Sequence, residues 1–420
     1  MKRLVIAFTF CTASAFTADL PPLIFPEGVG VNIHFTRGNE RDLDMIRDAG
    51  FKFIRMDFGW SGIERKKGEF NWSAYEELTA NLEKRGIRPV YILDYGNALY
   101  EGQMASTNPI THKPVLETAS PQHPESVAAF ARWAAASAKH FKGRRIVWEI
   151  WNEPNISFWK PKPNADQYAT LALATAKAIR EADPDATIIG PASSEFPWPF
   201  LETFLRSGVL EYIDGVSVHP YRSKRKTPET AEVDYAKLRG MIEQYAPNEA
   251  KKKLPIISGE WGYSSNTKNI SVQTQAVFFA RQQIANVMNG IPLSIWYDWK
   301  NDGKDRKENE HNFGTVDYDL TPKPAYLAAQ TLTRELKGFH ITQRVMNTST
   351  NDILLLLNKG SGAIKMVAWT LGEEHSVTVD PMFRSGKAVD MLGKSVELGA
   401  KDNTVRIPLG FAPIYVTLEK

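Results

Sequence analysis

The chain is almost without cysteine. Of its 420 residues only Cys11 is a cysteine, so the rest of the chain has no disulfide and no thiolate to bind a metal. The eight histidines form neither His-x-His nor His-Glu-x-x-His, and the acidic stretch at 301–311 lacks the spacing of a calcium-binding EF-hand loop. A Gly-rich phosphate loop and a Gly-x-Ser-x-Gly motif are also missing. We therefore expect no metal, no cofactor and no serine nucleophile.

A charge imbalance and long apolar runs are missing as well. The 51 Lys and Arg residues against 48 Asp and Glu residues leave a formal net charge of +3, and neither sign forms a long block. This balance gives no reason to expect nucleic acid or an anionic membrane as a partner. After residue 18, no apolar stretch approaches the ~20 residues that cross a bilayer, so no membrane span is expected.

The first residues do follow a known order. Lys2 and Arg3 precede an apolar run at 4–10, and small residues follow at 13–15. This order is typical of a secretory signal peptide, with cleavage after Ala15 or Ala18. A buried first strand is the alternative. We predict residues 1–18 as a signal peptide and a secreted or periplasmic location.

Strand-like and helix-like segments then alternate strictly. This pattern is typical of a parallel sheet with helices outside it, and eight strands each followed by a helix favour a closed (β/α)8 TIM barrel over an open sheet. The predicted strands are residues 30–35, 51–58, 88–94, 146–151, 187–190, 215–219, 255–260 and 293–298. The predicted helices are residues 40–49, 74–85, 125–141, 165–182, 199–207, 231–245, 271–289 and 324–337.

The rhythm changes near residue 339. Short strand-like runs such as "DILLLLN", "AIKMVAWTL" and "PIYVTLEK" are separated by Gly, Asn and Asp, which is typical of a β-sandwich. We predict a barrel domain at 19–338 and an all-β sandwich domain at 339–420. Since no low-complexity linker separates them, we expect the two to pack as one rigid unit.

Polar residues cluster where the predicted strands end. In a (β/α)8 barrel the active site is built at the C-terminal ends of the strands, and the fourth predicted strand leads into Asn152 and Glu153. Strand alternation predicts Glu149, Trp151 and Glu153 on one face. Glu149 would then lie about 6 to 7 Å lower in the barrel, where we expect it to pair with a buried basic group. Glu153 stands at the rim.

A second carboxylate ends the seventh predicted strand. Glu260 closes the apolar run "KLPIISGEWGY", and strands four and seven face each other across the barrel. Hydrolysis of a glycosidic bond uses two carboxyl groups, namely an acid that protonates the leaving oxygen and either a nucleophile ~5 to 5.5 Å away or a base at longer range. Glu153 and Glu260 are therefore the predicted catalytic pair.

These residues carry a family resemblance. The segment "WEIWNEPN" at strand four and a Glu ending strand seven resemble glycoside hydrolases of clan A, most like family 39 and the related exopolysaccharide endoglycosidases. "GVNIHF", "FIRMDFGWSGIERKKGEFNW", "GVSVHPY" and "FGTVDYDLTPKPAY" extend the similarity over most of the chain. The resemblance implies a retaining β-glycosidase in which Glu153 is the acid/base, Glu260 the nucleophile, and Asn152 the ligand of the sugar 2-hydroxyl.

Three further side chains are expected around the nucleophile. Arg55 and Tyr221 are placed by their strands to donate hydrogen bonds to Glu260 and keep it charged, while Glu153 must hold a proton near neutral pH. His219 would complete this set. The alternatives are that Arg55 is only an interior counter-ion of Glu149 and that His219 and Tyr221 merely cap a strand.

Other strand ends supply candidate sugar contacts. Trp296 and Trp299 end strand eight, where an aromatic face can stack on a sugar ring, and Trp151 could shape the pocket or raise the pKa of the acid by desolvation. Further candidates at strand ends are His34, Asp57, Asp94 and Asp298, of which the first three could equally be structural. Trp60, Trp159 and Trp198 lie in loops that could form outer subsites.

The expected activity is hydrolysis of a polysaccharide or oligosaccharide by a monomer. Scattered loop aromatics favour an endo-acting enzyme with an open groove. The alternative is an exo-acting enzyme like a β-xylosidase or arabinosidase, with the segment 97–122 closing one end of the groove. A non-catalytic carbohydrate-binding barrel is a third interpretation, which the presence of both Glu153 and Glu260 disfavours. The stretch 301–311 is expected to be a loop over the cleft.

Overall fold

The computed structural model describes residues 19–107, 114–223, 226–346, 349–360, 362–379, 385–401 and 404–419. The predicted signal peptide at 1–18, with Cys11, lies outside them. Eight parallel strands close into a barrel in which each strand pairs with its neighbours in sequence and the last pairs with the first. The predicted (β/α)8 barrel is confirmed.

The barrel strands begin within two residues of their predicted starts, but the first, fourth and eighth end early, at Asn32, Ile150 and Trp296, and the fifth runs on to Ser194. They are referred to below as barrel strands 1 to 8. In order they are Val29–Asn32, Phe53–Gly59, Arg88–Asp94, Val147–Ile150, Thr187–Ser194, Gly215–His219, Ile256–Trp261 and Ser294–Trp296.

The helices surround the barrel and begin at recognisable sequence signals. Asn164 and Ser271 accept the hydrogen bonds of Gln167 and Thr274 backbone N–H groups, as N-cap side chains do. All but the short Trp60–Ile63 lie within two residues of their predicted bounds. They are Glu40–Asp48, Trp60–Ile63, Ser73–Glu83, Pro124–His140, Ala165–Ala182, Trp198–Arg206, Glu232–Tyr245, Val272–Met288 and Pro324–Glu335.

The floor of the barrel is apolar and its mouth is polar. Side chains alternate along a strand, so Arg55 and Glu149 lie in the barrel interior two residues beyond Phe53 and Val147. They are buried directly above an apolar layer. That layer consists of Phe53, Val90, Val147, Ile189, Ile257, Leu293 and Ile295. Charged groups at this level have no water beneath them and must be satisfied by one another.

An antiparallel hairpin interrupts the alternation after barrel strand 3. Its strands are Gln103–Thr107 and Pro114–Thr118, within the predicted segment 97–122, and its tip lies outside the described residues. Lys160 ties it to the loop after barrel strand 4, donating from Nζ to Glu117 at 2.7 Å and from its backbone N–H to Ser120 Oγ at 2.8 Å.

The C-terminal part forms two antiparallel sheets, as predicted for a β-sandwich. The six-stranded sheet contains, in spatial order, His340–Arg344, Asp352–Asn358, Ile364–Thr370, Ile414–Glu419, Ser385–Val389 and Ser395–Val396. The three-stranded sheet contains His375–Thr378, Thr404–Leu409 and Gly399–Lys401. The predicted boundary at 338 and 339 falls between the helix Pro324–Glu335 and the first of these strands.

The larger sheet is buried on both faces. Ile353, Leu355 and Leu357 belong to the apolar core of the barrel, whereas Leu354 packs with the smaller sheet. This two-sided burial explains the run "DILLLLN", since a strand with one face in water would alternate apolar with polar residues. Within the described residues, no helix combines the length and apolarity needed to cross a membrane.

A buried ion pair joins the two parts. Arg281 Nε and Nη2 donate to the two carboxylate oxygens of Glu229 at 2.7 and 2.6 Å, and Trp369 Nε1 donates to the same carboxylate at 3.0 Å. Arg281 also donates to the Phe411 carbonyl at 3.3 Å. Arg281 and Glu229 belong to the barrel, Trp369 and Phe411 to the sandwich, so the pair fixes one part against the other.

We expect Arg281→Met to destabilise the protein by about 3 to 5 kcal/mol, because it leaves the Glu229 carboxylate buried without a counter-charge. Urea unfolding followed by tryptophan fluorescence measures this loss. The double variant Arg281→Met/Glu229→Gln should lose less free energy of unfolding than Arg281→Met alone. The exposed ion pair between Lys252 and Glu249 is the control. Its removal should leave the urea midpoint of unfolding unchanged. A double variant as unstable as Arg281→Met would contradict this account.

Candidate active site

Arg55 lies at the centre of the polar mouth. It is 1% exposed and donates from Nε to Glu149 Oε2 at 2.6 Å and from Nη1 to Glu260 Oε2 at 2.6 Å. Nη2 donates to Asn152 Oδ1 at 2.9 Å. Burial acts to lower the pKa of Arg55, but the charges of Glu149 and Glu260 raise it, and the net shift is upward. Arg55 is thus both the counter-ion of Glu149 and a donor to Glu260.

Glu260 receives one hydrogen bond on each carboxylate oxygen. Arg55 donates to Oε2, and the Tyr221 hydroxyl donates to Oε1 at 2.7 Å. Burial, and then the charge of Glu260, raise the pKa of Tyr221 well above its usual value, so its hydroxyl keeps the proton it donates. Both donors predicted for Glu260 are in place, and they fix its orientation.

His219 connects Arg55 to Glu153. Its Nε2 lies 3.2 Å from Arg55 Nη2 and its Nδ1 lies 2.9 Å from Glu153 Oε1. Because a guanidinium can only donate, Nε2 accepts and the imidazole proton sits on Nδ1, from which it is donated to Glu153. His219 is fully buried, so this hydrogen bond does not compete with bulk water.

The hydrogen bond from His219 alters the acidity of Glu153. Burial acts to raise the pKa of Glu153, but the donated hydrogen bond and the charge of Arg55 act in the opposite direction, and the net result is a pKa below the ordinary glutamate value. The expectation that Glu153 holds a proton near neutral pH is therefore not met in the unliganded site. The imidazole N–H, which stabilises the carboxylate, is the physical reason.

The two glutamates lie close together. One carboxylate oxygen of Glu153, one of Glu260 and a ring nitrogen of His219 are all within 4.8 Å of one another. A carboxyl pair that performs a double displacement is ~5 to 5.5 Å apart, whereas an inverting pair is separated by ~6.5 to 9.5 Å to admit a water. The close approach of the two carboxylates favours the retaining arrangement over the inverting one.

The backbone between Ile150 and Glu153 departs from a strand. Trp151 and Glu153 have φ angles of 70° and 46°, in the left-handed region that costs a non-glycine residue on the order of 1 kcal/mol or more. Alternation fails there, so the prediction that Trp151 shares the face of Glu149 and Glu153 is wrong. Trp151 is buried with Phe130 and Trp159, and it does not line the cleft.

Glycine is required at position 259, beside this network. A Cβ on Gly259 would lie 2.9 Å from Glu149 Oε1 and 3.5 Å from two atoms of the His219 ring. Both contacts are with side chains held in place by Arg55. Barrel strand 7 can therefore approach the buried charges only because residue 259 has no side chain.

Most predicted tryptophan platforms are buried. Trp296 is 0% exposed, under Phe279 and Tyr263, and Trp299 is 1% exposed, with its Nε1 donating to Asp42. A sugar cannot stack on a covered face, so the prediction for these two side chains is wrong. The outer-subsite prediction fails for Trp60 and Trp159, which are also 0% exposed, while Trp198 is half-buried. Burial of a wide ring cannot be read from its position in a loop.

Tyr297 takes the place of the tryptophans after barrel strand 8. It is half-buried, and burial together with the charges of Asp298 and Glu260 raises its pKa. Its ring packs edge-on against His34 at 5.7 Å. Sequence reasoning missed it because tryptophans flank it in "WYDW". The only available signal was that barrel strand 8 could end after Trp296 and turn the next side chain toward the cleft.

His34 and Asp298 form an ion pair at the rim. His34 Nε2 lies 3.4 Å from Asp298 Oδ2. Burial acts to lower the pKa of His34, but the hydrogen bond and charge of Asp298 raise it to about 9, and burial raises the pKa of Asp298 to about 7. At neutral pH His34 is therefore protonated. It is 43% exposed and can donate to a ligand.

Asp57 and Asp94 lie next to each other at the ends of barrel strands 2 and 3. Asp94 is fully buried, and burial, then the charge of Asp57, raise its pKa well above the ordinary value. A neutral Asp94 donates a hydrogen bond to Asp57. Asp57 is half-buried and faces the mouth. Asp94 thus has a structural role, and Asp57 remains a candidate sugar contact.

Two groups of side chains in the described part of the chain have metal-ligand spacing. They are Glu153, His219 and Glu260, and His34, Asp298 and Asp302. The first group is the carboxylate pair with its histidine, and the second contains the His34–Asp298 ion pair.

Two depressions open at the mouth of the barrel. One of about 310 Å³ is lined by Tyr221, Tyr263, Ser264, Asn309 and Phe313. Another of about 220 Å³ is lined by His34, Phe35, Asn39, Asp302 and Tyr318. The loop predicted at 301–311 contributes to both walls.

Comparison with known proteins gives consistent results. The model of the family "Cellulase (glycosyl hydrolase family 5)" matches residues 26–303. A β-xylosidase of Geobacillus stearothermophilus is 36% identical over 112 residues, 24% of this chain and 22% of the relative. A β-xylosidase of Caldicellulosiruptor saccharolyticus is 26% identical over 325 residues, 70% of this chain and 64% of the relative. The chain thus spans less than two thirds of the length of these curated relatives.

A solved structure resembles the whole chain. A family 39 glycoside hydrolase from the gut symbiont Bacteroides cellulosilyticus WH2 superposes with a TM-score of 0.78 at 25% identity, over 95% of this chain and 81% of that one. The similarity includes the C-terminal sheets as well as the barrel.

We expect His219→Leu to raise the pKa of Glu153. The variant removes the N–H that stabilises the carboxylate, so the carboxyl should take up its proton at a higher pH than in the intact protein. Carbon-13 NMR of protein labelled at the glutamate carboxyl measures this shift, with Glu153→Gln identifying the signal. His140→Leu, which removes the partner of the distant Glu76, should leave the Glu153 titration unchanged. An unchanged titration in His219→Leu would exclude the imidazole as the cause.

Proposed function

The chain belongs to the cellulase family of glycosyl hydrolases, family 5, and we propose that it is a retaining β-glycosidase that hydrolyses a polysaccharide by double displacement. The single observation that supports this best is the close approach of Glu153 and Glu260, within 4.8 Å, at the ends of barrel strands 4 and 7. Glu260 also receives a hydrogen bond on each oxygen, as a charged nucleophile requires.

In the first step Glu260 attacks the anomeric carbon. Arg55 and Tyr221 hold its two oxygens, so one oxygen is presented to the sugar in a fixed direction. The glycosidic C–O bond breaks as the ester bond to Glu260 forms, and the leaving oxygen takes the proton of Glu153. A negative Glu260 nearby favours the protonated form of Glu153, which opposes the effect of His219.

In the second step water replaces the leaving group. Glu153 takes a proton from the water, the oxygen attacks the anomeric carbon, and Glu260 departs as a carboxylate. Once Glu260 is an ester it no longer disfavours a charge on Glu153, and the His219 N–H continues to stabilise that charge. The lowered pKa of Glu153 therefore suits its role in this second step.

Asn152 has one free donor for the sugar. Its Oδ1 accepts from Arg55 and its Nδ2 donates to the Tyr95 hydroxyl at 3.0 Å. An amide nitrogen carries two hydrogens, and the second can reach the 2-hydroxyl of the sugar bound to Glu260. His34, Asp57 and Tyr297 are proposed to contact the other hydroxyls of that sugar.

We favour endo action. The two depressions at the mouth, of about 310 and 220 Å³, suit a groove that holds several sugars, and Tyr221, which bonds Glu260, lines the larger one. Exo action is the second candidate, because both curated relatives are called β-xylosidases and the hairpin Gln103–Thr107 and Pro114–Thr118 stands beside the acid/base loop. We further propose that the protein acts as a monomer and, from the order of residues 1–18, that it is secreted or periplasmic.

Glu260→Gln should abolish turnover of aryl β-glycosides, since an amide cannot form the covalent intermediate. Glu153→Ala should reduce hydrolysis by about 10²- to 10⁴-fold, and azide should restore turnover because an anionic nucleophile needs no general base. Proton NMR of the first product formed by the intact protein should show the β-anomer. An α-anomer, or a Glu260→Gln variant with undiminished activity, would remove Glu260 from the role of nucleophile.

A screen on soluble polysaccharides, xylan among them, separates endo from exo action. Following the product sizes over time, we expect oligosaccharides of mixed length to form first and to be absent with Glu260→Gln. Release of single sugars alone would select the exo alternative. Binding of a polymer without turnover by the intact protein would favour the non-catalytic barrel.

A further inference from the structure

An exposed aromatic ring lies in the loop that carries the acid/base. Phe158 is 41% exposed, although it lies in the same loop as Glu153, five residues further along the chain. Its ring stacks on that of Tyr95 at 5.9 Å with an interplanar angle of 16°. The stacking covers one face of Phe158 and leaves the other face open to solvent, as a platform for a flat apolar surface requires.

The Phe158 platform is fixed with respect to the catalytic residues. The Tyr95 hydroxyl accepts a hydrogen bond from Asn152, and the Tyr95 ring packs edge-on against Trp151 at 5.4 Å. Two residues after Phe158, Lys160 is held by Ser120 and Glu117. The exposure of Phe158 is therefore not that of an unanchored loop tip.

The position of the platform relates it to one half of the substrate. In the first step the sugar that forms the ester stays with Glu260, on barrel strand 7, while the leaving group receives its proton from Glu153, which follows barrel strand 4. Phe158 lies in the loop after barrel strand 4, and Tyr95 directly follows barrel strand 3. The leaving group therefore meets the aromatic side of the mouth.

The chemistry of the two sides also differs. Around Tyr297 the mouth carries charged groups, namely His34, Asp298, Asp302 and Glu310, all of which contribute to its electrostatics or pack against it. The Phe158 side presents an uncharged ring. A pyranose ring has an apolar face of C–H bonds that matches an aromatic face, so a sugar can bind there without losing hydrogen bonds from its hydroxyls.

We propose that Phe158, supported by Tyr95, is the binding platform for the leaving-group sugar. This inference rests on the proposed function, since it requires Glu153 to be the acid. It assigns substrate binding to a phenylalanine, whereas the sequence pointed to tryptophans that are buried. The ligand is a pyranose residue on the reducing-end side of the bond that is cut.

The test compares two substrates that share the retained sugars and differ in the leaving group. One is an oligosaccharide of the sugar released in the polysaccharide screen, and the other is the corresponding β-glycosyl fluoride, whose leaving group has no ring. For Phe158→Ala we expect the ratio of kcat/KM for the oligosaccharide to kcat/KM for the fluoride to fall about 3- to 10-fold. Phe158→Tyr, which keeps the aromatic face, should restore the ratio.

Leu327→Ala is the matched control, because Leu327 is also 41% exposed but lies on the helix Pro324–Glu335 outside the barrel. It should leave the ratio unchanged. A Phe158→Ala variant with an unchanged ratio, or with a greater loss on the fluoride, would overturn the inference while leaving the proposed function intact. Failure of the intact protein to cleave the fluoride at all would instead overturn the proposed function, and this inference with it.

Discussion

The site depends on a single buried guanidinium. Arg55 lies between the two glutamates Glu149 and Glu260 and also bonds Asn152 and His219. These partners come from barrel strands 4, 6 and 7, so one side chain sets their mutual distances. An isolated carboxylate such as Glu149 would be expelled from this depth or neutralised. With Arg55 as its partner, Glu149 supports the layer of catalytic residues from below.

This network also determines which ring nitrogen of His219 carries the proton. Because Arg55 can only donate, the imidazole must direct its own N–H toward Glu153. Arg55 therefore influences the acidity of Glu153 through His219. The charges that act in the reaction are oriented before any sugar arrives. Such preorganisation removes the cost of turning dipoles during the reaction, which is a large part of what enzymes contribute.

The sequence was sufficient to predict the fold and the residues bonded to Arg55, but not the aromatic side chains that could bind sugar. Eight strand-to-helix alternations predicted the barrel, and the carboxylates at strand ends predicted Glu153 and Glu260 as neighbours. Arg55, Tyr221 and His219 were found because strand ends converge. The failures occurred where regular geometry stops: left-handed φ angles at Trp151 and Glu153 break the alternation, and the loop conformation that exposes Phe158 and covers Trp159 has no periodic signal.

Gly259 has a consequence for how such a barrel can change. A Cβ there would lie 2.9 Å from Glu149 Oε1, so a substitution at this one position would displace that carboxylate and, through Arg55, disturb Glu260. The interlocked centre is closed to gradual variation, whereas the Phe158 side chain takes no part in the hydrogen bonds of that centre and can be exchanged separately. We therefore expect specificity in this scaffold to change, by evolution or in the laboratory, through the loops above this charged layer.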